Sequence, residues 1–421
     1  MFTEYKSLYR NRSFLIFWIG QSLSVAGDAF TIVALPLLVL QATGSVVQMG
    51  LVTVTFTVSS ILSSLPSGII VDHVDRRWLM IISDTGRSLL YGSIPLIWFL
   101  TGPQLWLIYV VVALGTCLTT CFIVAHNAVL PYLVEQEQMT LASGWLQAGG
   151  ALCFMLGPVL AGLVSSIWGP SIAIGVDALS FGVSALSLLS IRLRQSASTR
   201  QQDGTAIISL NKQEFLAGIR FLLHQPTLRA VSLLSMSFFP LLAPILDLFI
   251  FRLKHDLIQS DGAVGFIFSL SALGGISGGL LASLLRQRLG FGISWLGALT
   301  LIGMVAIGIG LTANIWLMAF LATGFAFGQV LLNISATVLY QQLTPDRLLG
   351  RVTAVSWTMY RILGPIGVTV CTALVARLGT SLVFTAIGVI TLAIAVVGVF
   401  TSARTQHPEQ HYSASSLKPS Q

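Results

Sequence analysis

Long apolar runs of about twenty residues, separated by short polar breaks, follow one another along most of the chain and predict helices that cross a lipid bilayer. Twelve spans are read, at about residues 13–40, 46–71, 79–100, 104–131, 141–166, 171–191, 229–251, 263–285, 292–312, 316–341, 352–376 and 381–402. Their breaks carry turn chemistry, as in TGPQ at 101–104 and WGPS at 168–171. Lipid offers the backbone no hydrogen-bonding partner, and the runs are too long and uniformly apolar for barrel strands. The predicted fold class is therefore an all-α membrane protein.

Polar residues inside these runs are few and regularly placed. Gln21, Ser24, Asp28 and Thr31 follow one another by three or four residues and form one stripe on the first span. Gln329, Asn333, Thr337 and Gln341 do the same at a spacing of four in the tenth, which reads as a cavity wall. Asn127 and Gln147 add amides in spans 4 and 5. A charge in a bilayer costs at least about 2.5–3.5 kcal/mol, so intramembrane ionisable groups are the first candidates for function. Asp28 either exchanges a proton with water or a cationic substrate, or bonds neighbouring hydroxyls as a packing residue. Arg361, some ten residues into span 11, engages either a ligand or a structural partner. Asp84 and Arg87, one turn apart, are expected to neutralise each other. Gly157-Pro158 and Gly364-Pro365 lie in LGP strings where small residues and a missing helix hydrogen bond fit either hinges or tight crossings.

Composition agrees with a bilayer: 55% of the residues are hydrophobic, 9% are charged, and the mean hydropathy is +0.86. A net charge of +7 would point to nucleic acid in a soluble chain, but here the cations sort by side. With the N-terminus inside, 17 of the 22 Lys and Arg fall in cytoplasmic segments, and Arg252, Lys254 and Arg377 lie outside. The positive-inside rule thus predicts cytoplasmic N- and C-termini, with basic loops against anionic lipid and no nucleic-acid partner. The first span reads as its own insertion signal. Cys117, Cys121, Cys153 and Cys371 fall within spans as small packing residues, and no metal site is expected.

The longest connection divides the spans six and six. The expected organisation is an N-terminal bundle over 1–191, a cytoplasmic linker over 192–228, a C-terminal bundle over 229–402 and a disordered tail over 403–421. Within the linker, Phe215, Ile219 and Leu222 share one face of an amphipathic helix. The two halves read as copies: Pro36 and Pro244, Gly68 and Gly279, and Pro158 and Pro365 recur at offsets of 208, 211 and 207 residues. Such a repeat is the mark of a duplicated transporter.

On these features and on GIIVDHVDRR at 68–77, the chain resembles the major facilitator superfamily over about residues 13–402. Gly68, Asp72, Arg76 and Arg77 match the family's loop motif after the second span, with His73 in place of a basic residue and Asp75 in place of glycine. SDTGRSLL, GDAFTIVALPLLVL, DALSFGVSAL and TPDRLLGRV are similar to the macrolide-efflux and siderophore-exporter branch. The resemblance implies two pseudo-symmetric six-helix bundles around a central cavity that opens alternately to each side. It places Asp28, Gln21, Thr31, Asn127, Gln147, Gln329, Asn333 and Arg361 as cavity candidates. It also sets Asp72 beside Arg351 and the start of span 11, a cytoplasmic latch together with Gly68, Arg76 and Arg77. Span 4 has no arginine, so the relay of better-known drug-proton antiporters does not carry over.

No nucleotide-binding string G-x-x-x-x-G-K-S/T is present, which leaves an ion gradient as the energy source. The expected activity is proton-coupled export of an amphipathic organic compound by a monomer in a bacterial inner membrane, with no cofactor and no enzymatic chemistry. Alternatives are a siderophore or lysolipid exporter and, from another class, a non-transporting sensor or scaffold.

Overall fold

The apolar runs fold as helices throughout the computed structural model, which describes residues 11–135, 138–191 and 219–405. In chain order these are α1 (Arg12–Thr43), α2 (Val46–His73), α3 (Arg76–Thr101), α4 (Leu105–Val129), α5 (Met139–Trp168) and α6 (Pro170–Ser190). After the linker come α7 (Pro226–Leu242), α8 (Ile245–Phe251), α9 (Asp261–Leu311), α10 (Ile315–Leu343), α11 (Asp346–Leu378) and α12 (Thr380–Val399). A π-helical turn, Arg252–Asp256, continues α8. Linker residues 192–218, with Phe215 of the expected amphipathic helix, and the tail from 406 lie outside the described residues; 219–224 are helical.

Among the described residues, ten helices are long and apolar enough to cross a membrane, against the twelve spans expected. The difference arises at two places. Helix α3 carries Arg76, Arg77, Asp84 and Arg87 and falls short on apolarity. Helix α9 runs for 51 residues as one element, although Gly290 (φ 78°, ψ 176°) is non-helical within it. That conformation strains any residue bearing a Cβ, so the glycine turns the chain while hydrogen bonding continues on either side. Gly169 (φ 88°) does the same between α5 and α6, at the turn predicted from WGPS.

Polar residues set the ends of several helices. Asn11 accepts from the Phe14 N–H at 3.1 Å while its amide donates to the Leu133 carbonyl at 2.8 Å. Asp75 accepts from the Trp78 N–H at 3.1 Å and caps α3. A carboxylate at this helix start meets the positive end of the helix dipole, which accounts for aspartate where the family motif has glycine.

The chain divides into two compact units. Unit 1 comprises residues up to 209 together with 258–269, and unit 2 comprises 210–257 and 270 onwards. In unit 1, α1 packs on α5 and α6, α3 on α4 and α6, and α2 on α4. Small residues permit these approaches. A Cβ on Gly27 would strike Ser180 and Asp177 of α6, and one on Gly157 would strike Ala29 of α1. Residues 258–269 join the same packing: Gly162 and Gly265 meet backbone to backbone, and Gln41 donates to Asp261 at 3.1 Å.

In unit 2, α7 packs on α11 and α12. Arg252 fastens one end of the unit: it donates to the Thr380 and Ser381 hydroxyls (2.8 and 3.1 Å) and to the Gly310 and Thr312 carbonyls (both 2.9 Å). Asp256 lies 3.6 Å away. A planar guanidinium reaches acceptors on both sides at once, which suits it to tying helix ends together.

Candidate functional site

Unit 1 gathers its buried charge around Arg87 of α3. Arg87 and Asp84 form the one-turn ion pair expected from sequence, and both are buried. The guanidinium also lies 4.0 Å from Asp28 of α1. Its two faces are covered by Phe122 (4.5 Å) and Phe181 (4.1 Å), so cation–π contact and carboxylate pairing act on one group together. Asp177 of α6 lies within electrostatic reach of Asp28 and Arg87 and accepts hydrogen bonds from Thr31 and Ser180. Two carboxylates therefore lie against one guanidinium and a third, Asp177, stands nearby on hydroxyl partners, with a formal charge of two minus if all are ionised.

Sequence reasoning missed this convergence of α1, α3 and α6. One signal was available: Asp28, Arg87 and Asp177 each fall in the middle third of their helix, and hence at similar depth. The polar stripe of α1 turns chiefly towards α6. Gln21 is buried and donates to Ser184 at 3.2 Å, Ser24 is buried, and Thr31 is bound to Asp177. Gln21 and Thr31 are thus tied to α6 within the unit. Asp28, with 42% of its side chain exposed, is the accessible member.

Unit 2 holds a cavity of about 210 Å³ between α7, α10 and α11. The predicted stripe of Gln329, Asn333, Thr337 and Gln341 forms one wall. Facing residues, which the sequence reading did not select, include Phe238 and Phe239 of α7 and Tyr360 of α11. The Tyr340 hydroxyl joins Ser232 (2.8 Å) to Tyr360 (2.6 Å), so the floor is an internally satisfied hydroxyl chain. Tyr340 continues the α10 stripe three residues beyond Thr337, a signal present in the spacing.

Other expected residues lie apart from these two places. Asn127 and Gln147 are exposed on α4 and α5, and no described hydrogen bond joins either to the Asp28 cluster. Arg361 is exposed on α11; its neighbour Tyr360, not Arg361 itself, lines the cavity. In the loop motif, Arg76 donates to the Tyr132 hydroxyl at 2.8 Å, and Arg77 donates to the Leu188 and Leu189 carbonyls (2.9 and 2.7 Å) at the end of α6. These cations therefore have partners inside unit 1, where Arg77 complements a negative helix end. Gly68 lies in α2; the side chains of Asp72 and Arg351, and with them the expected latch, lie outside the described residues. Pro158 and Gly364-Pro365 sit inside continuous helices, and Gly364 meets Phe239 and Ala243 at ordinary contact distance.

The family model of the Major Facilitator Superfamily matches residues 17–368. The chain belongs to the Major Facilitator Superfamily. It is 24% identical over 382 residues to the multidrug efflux pump Tap of Mycolicibacterium fortuitum, covering 89% of this chain and 92% of that pump. It is 25% identical over 247 residues to macrolide efflux protein A of Streptococcus pyogenes, covering 54% of this chain and 59% of that protein. Among solved structures, the nucleoside transporter NupG (in a mutant form) superposes with a TM-score of 0.77 at 12% identity, over 92% of this chain and 99% of that one. Family membership and the apolar helices make this superfamily member a multi-pass membrane protein of transporter type.

Proposed function

We propose that this superfamily member exports an amphipathic organic compound by alternating access, coupled to inward movement of protons, across a bacterial inner membrane with both termini in the cytoplasm. The observation that carries the reading is the cluster of unit 1, where Asp28 and Asp84 lie against Arg87 with Asp177 nearby, and of the three only Asp28 is accessible. Arg87 keeps a buried partner in Asp84, so Asp28 can gain or lose a proton while the ion pair beneath it stays whole. Similarity to a multidrug pump and a macrolide efflux protein supports export as the direction and an organic compound as cargo. The cavity of unit 2, amide on one side and aromatic on the other, suits an amphipathic molecule.

Proteoliposomes with an imposed pH gradient test this reading. Cargo-dependent proton flux is expected across a panel of amphipathic compounds, with upright and inverted orientations assayed separately. Cargo movement with no accompanying proton flux would overturn the coupling, and no movement of any compound would overturn export.

A further inference from the structure

The α10 stripe, exposed at Asn333, Thr337 and Gln341, is chemically unlike the buried charge around Arg87. Among the described residues that line the unit 2 cavity there is no carboxylate, ammonium or guanidinium. Gln329, Asn333 and Gln341 make no hydrogen bond among the described residues, so each amide keeps a donor pair and an acceptor to offer. Most hydroxyls around them are already engaged: Ser232, Tyr340 and Tyr360 satisfy one another, and Thr337 donates to the Asn333 carbonyl at 2.9 Å. Recognition therefore falls to the amides. Opposite stand the rings of Phe239 and Tyr360, with centroids 6.1 Å apart, and that of Phe238.

This pairing of walls defines a complement. One side of the ligand must carry several neutral donors and acceptors, and the other must present an apolar face to aromatic carbon. A charged group would find no counter-ion among the described lining residues. In size, the 210 Å³ cavity exceeds the apolar cavities of about 150 Å³ that take up benzene, so it admits a six-membered ring with substituents. A hexopyranose ring meets these conditions, with hydroxyls around its edge and axial C–H groups on one face.

We propose that unit 2 recognises its ligand through an uncharged glycosyl ring, set with its hydroxyls on Gln329 and Asn333 and its C–H face on Phe239 and Tyr360. The inference rests on the export reading only for the use made of the site. Its test measures equilibrium binding without a gradient, so failure of proton coupling leaves it standing.

The full chain in lipid nanodiscs, prepared free of glycoside detergents, is titrated with 4-nitrophenyl glucoside and separately with tetraphenylphosphonium. Glucoside binding is expected, weakened about tenfold by Gln329→Leu and by Asn333→Leu, as for loss of one hydrogen bond with an unpaired hydroxyl left behind. Gln329→Glu is the second variant: it should weaken the glucoside and strengthen tetraphenylphosphonium, a gain that a misfolded protein cannot give. The proposal is overturned if the glucoside does not bind, if it binds the Leu variants as tightly as the native chain, or if the native chain takes only the cation.

Discussion

Unit 1 sets an arginine and three aspartates among phenylalanine rings, whereas unit 2 walls its cavity with amides, hydroxyls and rings and keeps its buried cation, Arg252, elsewhere. Each solution follows from what a bilayer-embedded bundle tolerates. A charge can stay if counter-charges and quadrupoles surround it, as around Arg87, or if neutral acceptors saturate it, as around Arg252. An open binding surface is easier to keep neutral, because an amide left empty costs far less than an ion. The two halves read as copies along the sequence, and yet their side chains differ: carboxylates gather near an arginine in unit 1, whereas the described lining of the unit 2 cavity is neutral and the buried Asp247 lies outside it.

Breaking the ionic half should give the largest loss. Arg87→Leu strands Asp84, which is fully buried, and should cost about 3–5 kcal/mol. Thermal unfolding in nanodiscs reads this as a marked drop in midpoint. Adding Asp84→Leu should recover most of the loss, since the penalty lies in the unpaired carboxylate. If the double variant melts no higher than the single one, Arg87 acts mainly through Phe122 and Phe181.

Arg252 tests the other way of holding a cation. Lysine keeps the charge but cannot span the Thr380–Ser381 hydroxyls and the Gly310 and Thr312 carbonyls together. Arg252→Lys should therefore cost about 1.5–3 kcal/mol by the same melts. A negligible loss would show that Asp256, at 3.6 Å, rather than the neutral acceptors, is the main partner, because lysine keeps that ion pair.

How much of this contrast could be read in advance follows from the range of each signal. Periodicity and apolar length operate along one helix, and so the helices, the Asp84–Arg87 pair and the face shared by Gln329, Asn333 and Thr337 were all legible. Facing helices are set by packing. Nothing local to GDAF announces that Gly27 lets α1 close on α6, bringing Asp28 and Thr31 beside Asp177. The aromatic wall of unit 2 was hidden for the same reason, because Phe239 and Tyr360 look like ordinary span residues until α7 and α11 set them against α10. At Gly290 the break between two apolar runs was legible: the glycine is non-helical and kinks α9 where the two spans were expected to part.

Tyr340→Phe probes the neutral half with a smaller change. It deletes the hydroxyl between Ser232 and Tyr360 while keeping the ring, and should cost about 1 kcal/mol. Tyr360 loses its bond to Tyr340 and is left with Ser232 and Ser235, so glucoside affinity should change while pH-driven flux in the absence of glycoside does not. A change in flux instead would place proton movement in unit 2 and end the division between the halves.

Asp28→Asn should disturb folding least and divide the halves most cleanly. The side chain is 42% exposed and 4.0 Å from Arg87, while Asp84 stays bonded to that guanidinium, so an amide of the same shape should shift stability by about 0.5 kcal/mol or less. An asparagine cannot exchange a proton, however, and under the coupling reading the variant can still exchange cargo for cargo but cannot draw on a pH gradient. Proteoliposomes preloaded with unlabelled cargo should therefore keep counterflow while gradient-driven accumulation falls to background. Equal loss of both would make Asp28 part of cargo binding. Loss of neither would remove it from coupling and leave Asp177, bound to Thr31 on the neighbouring helix, as the remaining carboxylate of this cluster outside the Asp84–Arg87 pair.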